Sequence, residues 1–385
     1  MSRRTLVAAI GVAAVAVGGA LGGVFAVGGH HSSISLSANS HREHHAQNPR
    51  DMDMPQGWSF SKLNDDNDRT FNQLLGINNR GGIAGYFGSG AAGHPNKGYV
   101  LNLGLFPSYT NENFPGGIQT QVIGINDTGV SVGFWSTQNT ASMSDNNFGF
   151  YAWHGQFHNV NFPTGNHADP PVNQLLGVND SDIAVGFYTG AKGNDHAYAY
   201  SIGQGWFHRI HVRGAVSTTA SGINNRGDVA GFYTGRGGVV RGFLLGAFGR
   251  LTRLSVPGAS STMAFGVNDS REVVGTYMVG SGSNAKSFGF VWSRQLGFRT
   301  INDPHGSGAT TLNGINDEGD LVGFYVNAKG NTNGLLVAHG HFRAPFAPPL
   351  TTTAPIAAPT VTPTATPTST TTPAPVPTGT GPTHF

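Results

Sequence analysis

The sequence predicts an all-β protein made of six four-stranded units, and three observations carry that prediction. A thirteen-residue pattern recurs six times: LGINNRGGIAGYF from Leu75, IGINDTGVSVGFW from Ile123, LGVNDSDIAVGFY from Leu176, SGINNRGDVAGFY from Ser221, FGVNDSREVVGTY from Phe265 and NGINDEGDLVGFY from Asn313. Its leading glycines, Gly76, Gly124, Gly177, Gly222, Gly266 and Gly314, stand 48, 53, 45, 44 and 48 residues apart, and a second glycine follows nine residues after each. Glycine makes up 58 of 385 residues beside 10% aromatics, which suits short strands joined by many turns. A four-stranded unit recurring at this period is the signature of a β-propeller, here with six blades of antiparallel strands. Seven blades and a β-solenoid are the alternatives. A seventh blade lacks the residues to build it, and solenoid repeats are usually shorter.

Taken in order, residues 1–29 read as a signal peptide or a signal anchor. Arg3 and Arg4 give a positive start, and Leu6 to Val27 is uncharged and rich in Ala, Val and Gly. The apolar run exceeds the 7–15 residues usual for a signal peptide and nearly reaches the ~20 of a membrane span. Either way the positive flank leaves the remainder outside. The protein is thus expected to be secreted or at the cell surface, with a membrane touched only through an uncleaved N-terminal segment. Residues 30–56 are a polar linker containing His41, His44 and His45. Residues 57–346 carry the repeat, and residues 347–385 turn to Pro, Thr and Ala, a composition that cannot bury enough apolar surface to fold.

Within each unit, strand a ends in Gly-Ile-Asn or Gly-Val-Asn, and strand b is an apolar run such as Val229–Tyr233. Strand c has an aromatic-aliphatic core, as in Gly149–Ala152 and Gly289–Trp292, and strand d follows a glycine turn, as in Gly297–Ile301. An extra d-like strand, Trp58–Leu63, precedes the first unit and is placed to close the ring against the sixth. The a–b connection is hairpin chemistry. Its first Asn can bond its own backbone two residues on, and Gly81, Gly129, Gly227 and Gly319 supply a positive φ. Asp182 and Arg271 stand in that place in units three and five, and Arg271, poorly suited to left-handed φ, predicts an altered turn in unit five.

At this point the units resemble the HAF-repeat extracellular proteins, whose core reads Gly-Ile-Asn-Asp-x-Gly-x-Val-Val-Gly. The resemblance covers residues 74–340, and the His-Ala-Phe tripeptide survives as His196-Ala197-Tyr198. It implies export and a propeller-like fold, and it implies no common chemistry.

Composition narrows the function. Charged residues are 11% with a formal balance of +2, so no Lys/Arg stripe exists to neutralise phosphates and nucleic acid is not an expected partner. The absence of cysteine removes disulfides, thiol catalysis and thiolate metal sites. Several motifs dissolve on comparison of the six copies. Arg226-Gly227-Asp228 spells an adhesion tripeptide, but it falls out of the turn pattern. So do the sequons at Asn126, Asn179 and Asn268. No metal site or cofactor is expected. Calcium is the one ion the Asn-Asp pairs raise, yet a single turn offers two side-chain oxygens where the ion takes six to eight. The cluster Asn64–Asp68 lacks the glycine and distal glutamate of an EF-hand loop.

No nucleophile elbow, phosphate loop or His-Glu-x-x-His is present, so no catalytic residue is assigned. If strands alternate up and down, the uniform a–b and c–d turns share one face and the variable b–c and d–a loops share the other. Function resides more often on variable loops held by a rigid scaffold. The candidate ligand-binding residues are therefore Trp135, Asp145, His167, Asp169, Asp195, Arg236, Asp303 and His305. The expected function is an exported monomeric binding or surface module for an extracellular glycan or protein. The alternatives are a carbohydrate-active hydrolase or lyase with carboxylates converging on the channel, and a structural module without a small-molecule site.

Overall fold

A computed structural model describes residues 58–91, 93–104, 107–139 and 145–339. The expected export segment 1–29, the linker 30–56 and the tail 347–385 lie outside the described residues. The described chain is all-β: among its residues only Gly282–Asn284 form a helical turn, of the 3-10 type. The strands are β1 Trp58–Lys62; β2 Asn72–Ile77, β3 Gly82–Phe87, β4 Lys97–Asn102 and β5 Ser108–Asn111; β6 Gln119–Ile125, β7 Ser131–Ser136, β8 Phe148–Trp153 and β9 Gln156–Asn159. They continue with β10 Asn173–Val178, β11 Ile183–Thr189, β12 Asp195–Ser201 and β13 Phe207–Arg209; β14 Ala215–Ile223, β15 Val229–Gly235, β16 Val240–Leu245 and β17 Leu251–Leu254. The last are β18 Ser261–Val267, β19 Val273–Val279, β20 Lys286–Ser293 and β21 Gly297–Ile301; β22 Gly306–Ile315, β23 Leu321–Asn327 and β24 Thr332–His339.

Each run from β2, β6, β10, β14 and β18 forms an antiparallel four-stranded meander. The sixth unit takes β22, β23 and β24 from one end of the chain and β1 from the other, with Trp58 opposite His339 and Lys62 opposite Leu335. A single parallel bridge, Ser287 to Ala309, joins the fifth unit to the sixth. The N-terminal strand thus completes the last unit, as Trp58–Leu63 was expected to do.

Sequence periodicity sets what packs. Alternate residues of each strand face the neighbouring unit on either side, and six apolar clusters fill the seams. Val122, Phe150 and Ala84 fill the first to second; Tyr198, Leu175 and Val132 the second to third; Phe243, Val185 and Val212 the third to fourth. Phe290, Leu254 and Ala264 fill the fourth to fifth; Leu312, Leu335 and Val274 the fifth to sixth; Tyr99, Leu74 and Val322 join the sixth back to the first. The succession is cyclic, so the architecture is propeller-like.

The leading glycines explain how six inner strands approach one axis. A Cβ on Gly222 would lie 2.5 Å from the Phe265 carbonyl and 3.2 Å from Gly266 Cα. The same relation runs from Gly76 to Gly124, Gly177, Gly222, Gly266, Gly314 and back to Gly76. A β-bulge breaks the register at each of these positions, as between Ala220 and Gly222, turning the strand toward its hairpin. The turn glycines Gly81, Gly129, Gly227 and Gly319 have φ of +77, +86, +77 and +85°. In unit five Arg271 keeps the turn unaltered, against expectation: its φ is +61°, and its N–H donates to Asn268 O at 3.0 Å, as that of Gly227 does to Asn224 O at 3.1 Å.

Candidate functional site

The loop-face candidates do not form one site. Trp135 is a strand residue of β7, stacked on Phe114 at 4.3 Å with its Nε1 donating to Asn159 Oδ1 at 2.8 Å. Asp145 is buried, and Gln119 Nε2 donates to its Oδ2 at 3.2 Å. Asp195 begins β12 and is 1% exposed, with Thr189 Oγ1 donating to it at 2.8 Å and Thr219 Oγ1 at 3.5 Å. Burial pushes its carboxyl up to about 7, against the pull of the hydroxyls of Thr189, Ser217 and Thr219. Asp303 is buried and caps its own loop, accepting from His305 N at 2.7 Å and lying 3.2 Å from His305 Nδ1. His167, Asp169, Arg236 and His305 are exposed. Of the eight, Asp303 and His305 are shown in contact; the others are spread over units two to four and the loop between units two and three, and none of the eight lines either cavity described below.

The hairpin turns, which the repeat had reduced to structure, converge on the axis. In units one to four the first Asn accepts with Oδ1 from two backbone N–H groups, as Asn78 does from Arg80 N at 3.0 Å and Gly82 N at 2.7 Å, and Asn268 and Asn316 accept from Glu272 N and Asp320 N. Its Nδ2 then donates to the carbonyl of the equivalent Asn in the next unit. Asn78 reaches Asn126 at 2.9 Å, Asn126 Asn179 at 3.0 Å, Asn179 Asn224 at 3.0 Å, and Asn224 Asn268 at 2.9 Å. Asn268 reaches Asn316 at 3.2 Å and Asn316 returns to Asn78 at 3.5 Å. A second ring lies beside it: the N–H of Asn79 donates to Asp127 Oδ1, and Asp127, Asp180, Asn225, Asp269 and Asp317 continue it, each N–H meeting the next side-chain oxygen at 2.7–2.9 Å. These residues line a funnel of 60 Å³. The sequon residues Asn126, Asn179 and Asn268 are thus buried with their amides engaged.

The larger cavity, 580 Å³, opens on the same hairpin face at the seam between units four and five. The c–d turn of unit four contributes Gly246, Phe248 and Arg250, and the a–b turn of unit five contributes Ser270, Arg271 and Glu272. Trp292 and the c–d turn Ser293–Leu296 complete its wall. Its fixed point is an ion pair across the seam: Arg271 Nε donates to Asp228 Oδ2 at 2.7 Å and Nη2 to Oδ1 at 3.0 Å. Asp228 is fully buried, and it also accepts from Asn224 Nδ2 at 3.1 Å and Ala247 N at 3.2 Å. Burial would raise its carboxyl, and these hydrogen bonds outweigh burial and hold it below the ordinary range. With Asp228 buried, the adhesion tripeptide has no accessible carboxylate.

Among the described residues no group of three or more His, Asp or Glu is arranged to hold a metal ion. The acidic loop at Asn64–Asp68 is tied internally, Asp65 Oδ1 accepting from Asn67 N at 2.9 Å and Asp68 Oδ1 from Thr70 N at 2.8 Å.

No protein-family model and no curated protein matches the chain. Solved structures do resemble it. AofleA from Arthrobotrys oligospora is 13% identical with a TM-score of 0.45, over 73% of this chain and 85% of its own. TolB from Acinetobacter baumannii is 12% identical with a TM-score of 0.40, over 70% and 64%. A polysaccharide lyase, an ulvan lyase, is 12% identical with a TM-score of 0.38, over 70% and 78%. The architecture of this chain rests on its own strand order and cyclic hydrogen bonds.

Proposed function

We propose that the six units are the blades of one six-bladed propeller, and that this propeller is an exported binding module whose ligand enters on the hairpin face between units four and five. The observation that carries the reading is the 580 Å³ cleft at that seam, a size within the ~300–1,000 Å³ of small-ligand sites. The composition of its wall supports the reading as well. It combines Trp292, Phe248 and Leu296 with the polar groups of Arg250, Arg271, Ser270 and Arg294, and pockets that orient a ligand join apolar surface to a few fixed polar groups in this way. Export rests on the Arg3–Val27 pattern, and the likeness to HAF-repeat extracellular proteins points the same way. An envelope glycan is the ligand that such a location and wall favour.

The axial funnel does not support a hydrolase or lyase there. At 60 Å³ it takes a few waters, whereas a glycosidase needs two carboxylates about 5–10 Å apart on either side of a sugar linkage. The carboxylates that line the funnel also accept backbone N–H groups from their neighbours.

The test is retention of the full chain on a panel of immobilised polysaccharides. Thr252→Trp, which fills the cleft, should weaken any retention seen by about tenfold or more. His167→Ala, on the opposite loops, should leave it unchanged. Loss of retention with His167→Ala and not with Thr252→Trp would move the site to the variable-loop face.

A further inference from the structure

We infer that the cleft between units four and five takes a carboxylate-bearing saccharide, with Arg250 and Arg294 meeting the carboxylates and Trp292 and Phe248 the sugar rings. This rests on the binding reading above and adds the class of ligand.

The first observation is a departure from the repeat. Four units place glycine at the left-handed position of the a–b turn, unit three places Asp182 there at φ +56°, and unit five places Arg271 there at φ +61°. A non-glycine residue in that region persists where its surroundings hold it, and such residues gather at functional sites. Here the hold is visible, since the guanidinium is fixed by two hydrogen bonds to Asp228 of the neighbouring unit. Asp228 stands at a position that is acidic in units four, five and six (Asp228, Glu272 and Asp320) and Gly82, Val130 and Ile183 in the first three, and of these acids it is the one shown paired with an arginine of the next unit. The unusual arginine therefore meets an acid of the neighbouring unit in the wall of the larger cleft. Among the described residues this is the one ion pair that crosses between units.

The second observation is charge. Five ionised side chains line the cleft: Arg250, Arg271 and Arg294 against Asp228 and Glu272, three minus two, or +1. The acids are engaged, Asp228 by Arg271 and Glu272 by Asn268 Nδ2 at 2.9 Å. Arg250 and Arg294 are exposed and make no salt bridge among the described residues. Guanidinium groups match carboxylates in shape and can bind them bidentately.

The third observation is apolar surface next to those cations. Phe248 is 100% exposed and Leu296 53% exposed, and Trp292 stands half-buried behind them, its ring 6.4 Å from Phe298. Aromatic faces beside hydrogen-bonding cations suit a ring that is apolar on its faces and polar on its edges. A protein partner would need a broad contact of about 800 Å² on each side, and the exposed large apolar side chains that line this cleft are Phe248 and Leu296.

Isothermal titration of the full chain with an oligogalacturonate and with a neutral maltooligosaccharide of equal length tests this. The acidic oligomer should bind at least about tenfold more tightly than the neutral one, and its affinity should fall as salt rises from 50 to 500 mM, estimated from screening of exposed charges at roughly 10 Å. Arg250→Gln and Arg294→Gln should each weaken it by about tenfold while the melting temperature stays put. Equal or tighter binding of the neutral oligomer, sensitive to Thr252→Trp, would overturn the acidic ligand and leave the cleft as a binding site. Binding of poly-glutamate in place of both sugars would overturn the saccharide in favour of an acidic polypeptide. No binding of either sugar would overturn the inference, and the polysaccharide panel would still decide the binding reading separately.

Discussion

At the axis, six asparagines from Asn78 to Asn316 do the same thing: each closes its own turn and passes an amide to the next unit. At the seam between units four and five the same hairpin is used differently. There Arg271 stands where four units have glycine, pairs across the seam with Asp228, and lines with it a cavity of 580 Å³. What repeats builds the ring, and what departs from the repeat shapes a place for something else. A motif seen once in a repeat protein therefore has to be read against its siblings, and its exceptions carry more information than its matches.

The largest expected effect is at the axis. In Gly222→Val the new Cβ would lie 2.5 Å from the Phe265 carbonyl, a backbone group that cannot swing away. Unfolding in urea should show a loss of at least about 4 kcal/mol, or no cooperative transition. Gly227→Ala, at the tip of the same hairpin, meets only the Ala247 methyl at 3.4 Å. It should lose about 1 kcal/mol, from its positive φ alone. Equal losses at the two positions would mean that close approach at the axis is not what the leading glycine serves.

A second comparison sets two buried carboxylates against each other. Asp228, paired with Arg271, is held below its ordinary range, whereas Asp195, buried at the seam between units three and four with hydroxyl partners, is pushed up to about 7. A raised carboxyl favours the folded state while it is protonated. Its contribution is fully present below its unfolded value near 3.8 and is lost as pH rises through about 7. Asp195→Asn should therefore flatten the fall in stability between pH 4 and pH 8, by an amount on the order of a few kcal/mol. A wild-type and variant pair with parallel pH profiles would mean that Asp195 is ionised in the folded protein.

The smallest shift is expected at the pair itself. Arg271→Gly restores the residue that the turn prefers, and it leaves the Asp228 carboxylate buried with Asn224 Nδ2 and Ala247 N as its remaining donors. The melting temperature should drop by several degrees, and adding Asp228→Val should recover it. If Arg271→Gly alone raises the melting temperature, the left-handed backbone at Arg271 outweighs the pair.

Much of this molecule was legible in its sequence. The four-strand units, the closing strand at Trp58 and the left-handed glycines follow from patterns that depend on nearest neighbours in the chain. The strand Gly297–Ile301 is found with the bounds the sequence suggests. Trp135 was missed because strand b runs to Ser136, which puts its ring in the sheet against Phe114 instead of in a loop. Asp195 and Asp303 read as loop carboxylates, yet Asp195 begins a strand with its carboxylate taken by Thr189 and Thr219 hydroxyls, and Asp303 satisfies the backbone N–H of His305 in its own loop. The cleft was not legible because its walls come from turns of two units, brought together only by the ring. One signal was available: an arginine at a place that demands left-handed φ needs a partner, although three acids at one repeat position, Asp228, Glu272 and Asp320, left the choice among them to the structure.

Hydrogen–deuterium exchange of the full chain, with and without saturating oligogalacturonate, tests the central claim most directly. The account predicts slower exchange in residues 246–250, 270–272 and 293–296, and no change in 161–172 or 302–305. Protection confined to those last two segments, with the hairpin turns unchanged, would contradict it.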